Sequence, residues 1–427
     1  MGEPARPSPF PHGMPYFTDK DTSLVRSLGT RDPLGFLPVW SAFARQLVPN
    51  VASPVVQVDG IKAVLLILWL GEDAAIADAM LRGADSRRRF FRLMEGLIEY
   101  WLYSNGRAPC YGSNTLRAEE DQFALTADSG KTVANGLYQY YRGTCRRAGF
   151  VGNDWMVERE IAQELRSSWK PAATAALIRA LTDPLTHPKT PLIPAAYLDR
   201  TALSAALGRV FAPDVLSDLF KQRLFGCESQ RDLARQFLQR QIAAGDMPLH
   251  ENIRALQSAT LTHNIRCVLD CEPFLLVMQD VFDMLRASGG KELGYVAGRL
   301  EDKRHVMAER ASTFLRLEGE QGTGRMRRMQ VLAAGLAASV AAASPAAARD
   351  EFIHFMRELV DFHLRCMAER GRDPLVIIEG TRIVSLVPDE RGPQEAIDRL
   401  SAGFPWMNDY YFRTTSRLYG QLFGVPA

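Results

Sequence analysis

The sequence predicts a mainly α-helical, multi-lobed protein with one small β-hairpin near its C-terminus. Apolar residues recur at helical spacing along most of the chain, as at Phe90, Met94, Leu97 and Trp101. Segments rich in proline or glycine separate the helical blocks. Only "LVIIEGTRIVSLV", 375–387, has two β-branched runs, which meet around Glu379-Gly380 in the pattern of a hairpin.

The chain of 427 residues is longer than one ordinary hydrophobic core requires, so we expect several domains. The proline-rich residues 1–18 are predicted to form a flexible arm. The stretch 183–194 contains four prolines, and "GEQGTGR", 319–325, resembles a flexible joint. These breaks predict an N-terminal helical domain at 19–185, a middle helical domain at 186–325 and a C-terminal domain at 326–427.

The N-terminal domain begins with a helix for which Asp32 is the expected N-cap and Pro33 the first helical residue. One apolar helix is predicted for 60–82, and its apolar run "AVLLILWL" is too short to span a membrane. Further helices are predicted for the stretch "SRRRFFRLMEGLIEYWLYSN" and for 130–148 and 154–168.

The middle domain is expected to be entirely helical. The apolar pattern predicts helices at 195–211, 213–225, 228–244, 248–262, 273–287 and 291–318. In the third domain, an Ala-rich helix ends near Pro345 and "RDEFIHFMRELVDFHLRCMAERG" forms a long helix. The hairpin and an aromatic-rich terminal helix follow.

Composition limits the classes of function. The net charge of +2 gives no global signal for a polyanionic partner, and 43 of the 51 basic residues are Arg, a bias typical of a GC-rich bacterial genome. The six cysteines are scattered without a CxxC pair, and the first residues do not read as a secretory signal. We therefore expect reduced thiols, a cytoplasmic location and no membrane partner.

Gly130-Lys131-Thr132 has the ending of a phosphate-binding loop, but the rest of that motif is missing. A Walker A loop requires glycine five positions before Gly130, where Leu125 stands, and a buried strand before the loop. The stretch reads instead as a helix N-terminus that is capped by Asp128 or Ser129. No nucleotide or other cofactor is expected.

A metal site is one interpretation of His263, Cys267 and Cys271, which are spaced by four residues. That spacing places ligands on one face of a helix, although zinc sites usually contain closer pairs and a fourth ligand. Pro273 suggests that the helix restarts nearby, which would separate the three side chains. The alternative is two buried thiols and a surface histidine.

Arginine clusters are the candidate nucleic-acid contacts. On the helix predicted at 130–148, tyrosine and arginine at spacing four could stack on bases and contact phosphate. The alternative is a set of solvated helix faces with ordinary ion pairs. The candidate residues are Arg87, Arg88, Arg89, Arg92, Tyr138, Arg142, Arg146 and Arg147.

No G-x-S-x-G elbow or local Cys/His signature is present, so a non-enzymatic role is favoured and no catalytic residue is assigned. The leading hypothesis is a helical interaction or adaptor subunit of a larger bacterial assembly, with other protein subunits as partners, in an assembly that could act on nucleic acid. One alternative is a protein that binds DNA or RNA directly through its Arg/Tyr helix surfaces. The other is an enzyme or metal-binding protein whose site is assembled across lobes.

Overall fold

The predicted fold class is confirmed: in the computed structural model, the described residues form 20 α-helices and a single two-stranded antiparallel sheet near the C-terminus. The structure describes residues 32–52, 55, 57–80, 86–107, 113–119, 122–125, 136–187, 190, 192–245, 247–317, 324–387 and 392–424. No helix within these ranges is both long enough and apolar enough to cross a bilayer.

The first eleven helices lie between Leu37 and Phe225. They are α1 (Leu37–Leu47), α2 (Val58–Leu70), α3 (Ala74–Met80), α4 (Ser86–Ser104), α5 (Ser113–Glu119), α6 (Leu137–Arg147), α7 (Arg159–Ser168), α8 (Pro171–Thr186), α9 (Pro194–Arg200), α10 (Leu203–Val210) and α11 (Ser217–Phe225).

The remaining elements include the two longest helices and the hairpin. They are α12 (Glu228–Ala244), α13 (Leu249–Arg254), α14 (Thr262–Ala287), α15 (Leu293–Arg299), α16 (Arg304–Leu315), α17 (Gly324–Ser339), α18 (Pro345–Ala368), β1 (Val376–Glu379), β2 (Arg382–Ser385), α19 (Pro393–Ala402) and α20 (Phe412–Phe423).

Contacts divide the described chain into two compact units that are each discontinuous in sequence. The first unit contains Asn50–Gly226 and the residues from Arg417 onward. The second unit contains residues 32–49 and Cys227–Ser416. The sequence predicts three domains with boundaries near 185 and 325, and that division stays a prediction.

In the first unit, α2 packs against α4 and α6. Gly60 on α2 permits the close approach to α6, because a Cβ added there would lie 2.1 Å from Cζ of Tyr141. The single apolar helix predicted for 60–82 is wrong, since the chain turns at residues 71–73 between α2 and α3. Glycine at position 71 is a poor residue for a helix interior, which gives a physical reason for the break.

In the second unit, α14 forms the centre of the core and contacts α1, α16, α18, α19 and the hairpin. The predicted restart at Pro273 is wrong, because α14 continues through that proline. The helix predicted for 291–318 is likewise wrong in extent, since α15 and α16 are separated by a 3-10 turn at Glu301–Lys303.

The predicted hairpin is confirmed, with β1 and β2 antiparallel and Ile377 opposite Val384. Buried His363 fastens this region: its Nδ1 lies 2.9 Å from the carbonyl oxygen of Pro33, and its Nε2 accepts the N–H of Leu375 at 2.9 Å. Burial and the neighbouring Arg286 lower the pKa of His363, so the ring is neutral, with Nδ1–H as the donor to Pro33.

Two helix ends differ from the sequence prediction. The Asp32 carboxylate accepts the backbone N–H groups of Phe36 and Leu37, so the cap residue lies several positions before α1 rather than next to it. Pro345 begins α18 instead of ending α17, because proline without an N–H fits the first turn of a helix.

Candidate functional site

Helix α6, which carries the predicted arginine and tyrosine surface, is fixed at its start by a buried carboxylate. Glu95 Oε1 accepts the backbone N–H of Tyr138 at 2.8 Å, one of the donors that a helix leaves free in its first turn. Burial raises the pKa of Glu95 to about 7. A Cβ at Gly136 would lie 2.1 Å from Glu95 Oε2, so glycine is required for the carboxylate to reach the helix.

A tight turn after α6 brings Trp155 back against the helix. Val151 and Val157 form an isolated antiparallel bridge across the turn. Trp155 has φ of 63°, the left-handed region that a bulky residue rarely adopts. Its ring centroid lies 6.1 Å from that of Tyr138.

Two predicted arginines contact this tryptophan. Cζ of Arg142 lies 5.6 Å and Cζ of Arg146 lies 5.4 Å from the Trp155 ring centroid, both within cation–π distance. Arg146 also donates to Asn153 Oδ1 at 2.7 Å. We call Arg142, Arg146 and Trp155 the Trp155 cluster; it places two guanidinium groups on one side of α6.

The other residues of the predicted basic surface are placed differently. Tyr138 is 2% exposed, so its ring packs in the core and is not presented for stacking on a base. Arg147 donates to the carbonyl oxygen of Val51 at 2.8 Å, a contact that joins two segments of the fold. Arg142 and Arg146 therefore remain from this helix as surface candidates.

The 87–92 cluster does not form a continuous exposed patch. Arg92 is only 6% exposed, and Arg89 is half-buried. The side chains of Arg87 and Arg88 lie outside the described residues, as does Gly130-Lys131-Thr132 with its proposed cap. Glu95 and Glu99, on the same helix as Arg92, are also buried, which explains why an arginine lies inside this unit.

The predicted metal trio is not supported as a ligand set. His263 is exposed and its Nε2 lies 3.5 Å from the Cys267 thiol, whereas Cys271 is fully buried one turn further along α14. Burial raises the pKa of the Cys271 thiol well above its usual range. Within the ranges that the structure describes, no three His, Cys, Asp or Glu side chains are grouped to hold a metal.

The second unit contains a buried carboxylate that the sequence analysis missed. Glu272 accepts hydrogen bonds from Trp40 Nε1 at 2.7 Å, from the Tyr410 hydroxyl at 2.6 Å and from the Met407 N–H at 3.0 Å. Burial raises the pKa of Glu272 to about 6, although these donors act in the opposite direction. These contacts join α1 and the segment before α20 to α14, so we assign Glu272 a structural role.

A second buried acidic pair joins α19 to α14. Arg399 contacts both Asp280 and Asp283, its Nη2 lying 3.0 Å from Asp283 Oδ2. Burial raises the pKa of Asp280 to about 7 even with this arginine beside it. Sequence reasoning could not find this group, because the arginine is more than a hundred positions from the two acids.

A concavity of the second unit lies where α1, α17 and the end of α18 meet. This cleft of about 360 Å³ is named the Arg325 groove and is lined by Pro38, Val39, Ala42, Gly324, Arg325, Met326, Arg328 and Glu369. Arg325 Nη2 and Arg328 Nη2 lie 2.6 and 2.9 Å from the two oxygens of Glu369. Two guanidinium groups thus share one carboxylate at the rim, beside an apolar floor.

A smaller cleft of about 140 Å³ adjoins the groove and shares Arg328 with it. We call it the Val331 cleft; it is lined by Arg328, Val331, Leu332, Glu358, Asp361, Phe362 and Arg365. Neither concavity has a histidine, cysteine or serine in its lining.

The chain matches no protein-family model, no curated protein and no solved structure.

Proposed function

We propose that this protein is a non-enzymatic interaction subunit that binds a segment of a partner protein in the Arg325 groove. The observation that carries the proposal is the combination of an apolar floor with two arginines that share a single carboxylate. Grooves of this composition receive apolar anchors of a partner segment, while the charged rim fixes its orientation.

The chemistry of the groove defines the partner segment. Val39, Ala42 and Met326 supply apolar contact area, and Leu37, beside them on α1, is 53% exposed. Arg325 and Arg328 together exceed Glu369 by one positive charge, which attracts a further carboxylate. The expected ligand is an amphipathic segment with apolar anchors and an acidic residue at one end.

Site-specific photo-crosslinking in cells tests the groove. A photoreactive residue at position 37 or 42 is expected to capture the same partner, whereas one at Ile242, which is 52% exposed on α12 of the same unit, is not. The captured protein is then purified and titrated against the whole chain. Leu37→Glu and Arg328→Glu should each weaken its binding by about tenfold, and Ile242→Glu should leave it unchanged.

Two results would remove this proposal. One is equal capture at the groove and at position 242. The other is turnover of a nucleotide, a nucleic acid or an ester by the purified chain, abolished by a single substitution.

Direct nucleic-acid binding is the second candidate function, and the Trp155 cluster is the observation that favours it. Arg142 and Arg146 are held on one side of α6 by the same indole ring, so both guanidinium groups are pre-positioned for phosphate. Fluorescence anisotropy with single-stranded and duplex probes at low salt should detect salt-dependent binding. Arg142→Glu with Arg146→Glu should weaken it, and Arg166→Glu, an exposed arginine on α7, should have a smaller effect. No binding to any probe at low salt would exclude this function.

A further inference from the structure

The solvent-facing side of α17 carries the exposed Arg327 near its start and no charged residue after Arg328. After Arg328, the residues that remain exposed on this helix are Val331, Ala334 and Ala338, at spacings of three and four. Val331 is 66% exposed, the largest value for any large apolar side chain in the described residues. The sequence from 331 to 348 contains no charged residue, so this face lacks the polar cover of an ordinary surface helix.

The side chains on this face of α17 are small. Ala334, Gly335 and Ala338 lie within little more than one turn, and a Cβ added at Gly335 would meet nothing within 4 Å. The backbone of α17 is therefore open to a close approach by another helix.

The Val331 cleft beside this face carries charges of both signs. Leu332 and Phe362 form its floor, and Cζ of Arg328 lies 6.0 Å from the Phe362 ring centroid. Around them stand Glu358, Asp361 and Arg365 of α18. Within the part of the chain that the structure describes, these three side chains make no ion pair of 4.0 Å or less.

We propose that this surface, formed by α17 and the Val331 cleft, pairs with the same surface of a second copy of this chain. A two-fold interface places one patch against itself, so the patch must be complementary to itself in shape and charge. The cleft meets that condition because its lining contains Arg365 together with Glu358 and Asp361, so Arg365 of one copy can face an acid of the other, while Arg328 keeps its pair with Glu369. A patch of one sign would repel its copy.

The apolar features fit the same arrangement. Val331 projects beside a cleft floored by Leu332 and Phe362, so a two-fold axis near Val331 carries each valine toward the cleft of the other copy. The small residues beyond it let the two α17 helices approach closely. This inference goes beyond the proposed function and is independent of it, because the second copy would bind at the Val331 cleft and not in the Arg325 groove.

Sedimentation velocity of the purified full-length chain over a range of micromolar concentrations tests the pairing. The unmodified chain should show a reversible monomer–dimer equilibrium. Val331→Glu and Gly335→Gln should each raise the dimer dissociation constant by about tenfold or more, since each places a polar or bulky group at the contact. Ile242→Glu, at an exposed apolar site elsewhere in the unit, should not change it.

A charge exchange adds a readout that a folding defect would not produce. Glu358→Arg alone should weaken the dimer, and Glu358→Arg combined with Arg365→Glu should restore it, because opposite charges again face each other across the axis. Circular dichroism and thermal unfolding confirm that each variant is folded. These substitutions lie on solvent-facing positions or at the cleft rim.

The inference is overturned if the unmodified chain is monomeric at every concentration, or if Ile242→Glu weakens the dimer as much as Val331→Glu does. Crosslinking at positions 37 and 42 gives an independent result. A monomeric chain that still captures a partner there would end the dimer inference and leave the proposed function standing. A chain that forms the dimer but captures no partner at positions 37 and 42 would end the proposed function and leave the dimer inference standing.

Discussion

The contact between Gly136 and Glu95 yields a quantitative prediction for Gly136→Ala. The added Cβ would lie 2.1 Å from Glu95 Oε2, so the carboxylate must move away from the start of α6. Its hydrogen bond from the Tyr138 N–H, 2.8 Å long, is then lost. Backbone strain is not the cause, because Gly136 has φ of −72°, which alanine adopts readily.

The expected size follows from two opposing terms. A hydrogen bond to a charged group contributes about 1.5–3 kcal/mol, and this donor lies in a buried site where no other partner replaces it. Replacing glycine by alanine restricts the unfolded chain and stabilises the folded one by about 0.4–1 kcal/mol. Gly136→Ala should therefore lower the free energy of unfolding by about 1–2 kcal/mol.

Urea unfolding at pH 8, where Glu95 with its pKa of about 7 is ionised, measures this loss. Gly208→Ala, on α10 of the same unit, is the matched control, since its Cβ would meet Trp101 at an ordinary 3.9 Å. That variant should be more stable than the unmodified protein. At pH 5 the carboxyl is protonated and the cost of Gly136→Ala should shrink, because a neutral hydrogen bond contributes less. If Gly136→Ala equals Gly208→Ala in stability at pH 8, the capping argument is refuted.

Three other perturbations have defined outcomes. Gly60→Ala forces a Cβ to 2.1 Å from the Tyr141 ring, so calorimetry should show that overpacking lowers the free energy of unfolding by about 1–3 kcal/mol. An unchanged melting temperature would contradict this. Tyr410→Phe removes one hydrogen-bond donor to Glu272 and should lower the free energy of unfolding, measured in urea at pH 8, by about 1.5–3 kcal/mol. An equal decrease at pH 5 and at pH 8 would contradict a hydrogen bond to the ionised carboxylate. Finally, the raised pKa values of Glu272, about 6, and Asp280, about 7, mean that the folded state holds protons that the unfolded state releases. The stability that these two carboxyls contribute is complete below their pKa values in the unfolded chain and is lost as pH rises through about 6–7. The free energy of unfolding should therefore fall from pH 5 to pH 8. Asp280→Asn should reduce this dependence of the free energy of unfolding on pH.

Local patterns in the sequence predicted much of the secondary structure. The β-branched runs of the hairpin and the helical class were found because period and propensity act within a few residues. The break after α2 was missed although Gly71 is a local signal against a helix interior. The continuation of α14 through Pro273 was missed because packing in the core overrides local preference there.

The candidate surfaces were less accessible to sequence reasoning. Tyr138 and Arg92 were read as surface residues, but each follows its helix into a core that only the whole unit defines. Trp155 was missed because its contact with α6 depends on a turn with positive φ, which no periodic pattern shows. The Arg325 groove joins Pro38, Arg325 and Glu369, which are far apart in the sequence, so no local pattern could show it.

The order of the two units along the chain has a consequence for synthesis on the ribosome. Helix α1 emerges early, yet its buried face belongs to the unit whose other residues begin at Cys227. All of Asn50–Gly226 must be translated first, which takes on the order of ten seconds or more at about 5–20 residues per second. Val39, Trp40, Phe43 and Leu47 remain without their core during that interval. The nascent N-terminal region is therefore a natural client for a chaperone that holds apolar helices, and truncation before Cys227 should produce an aggregation-prone chain.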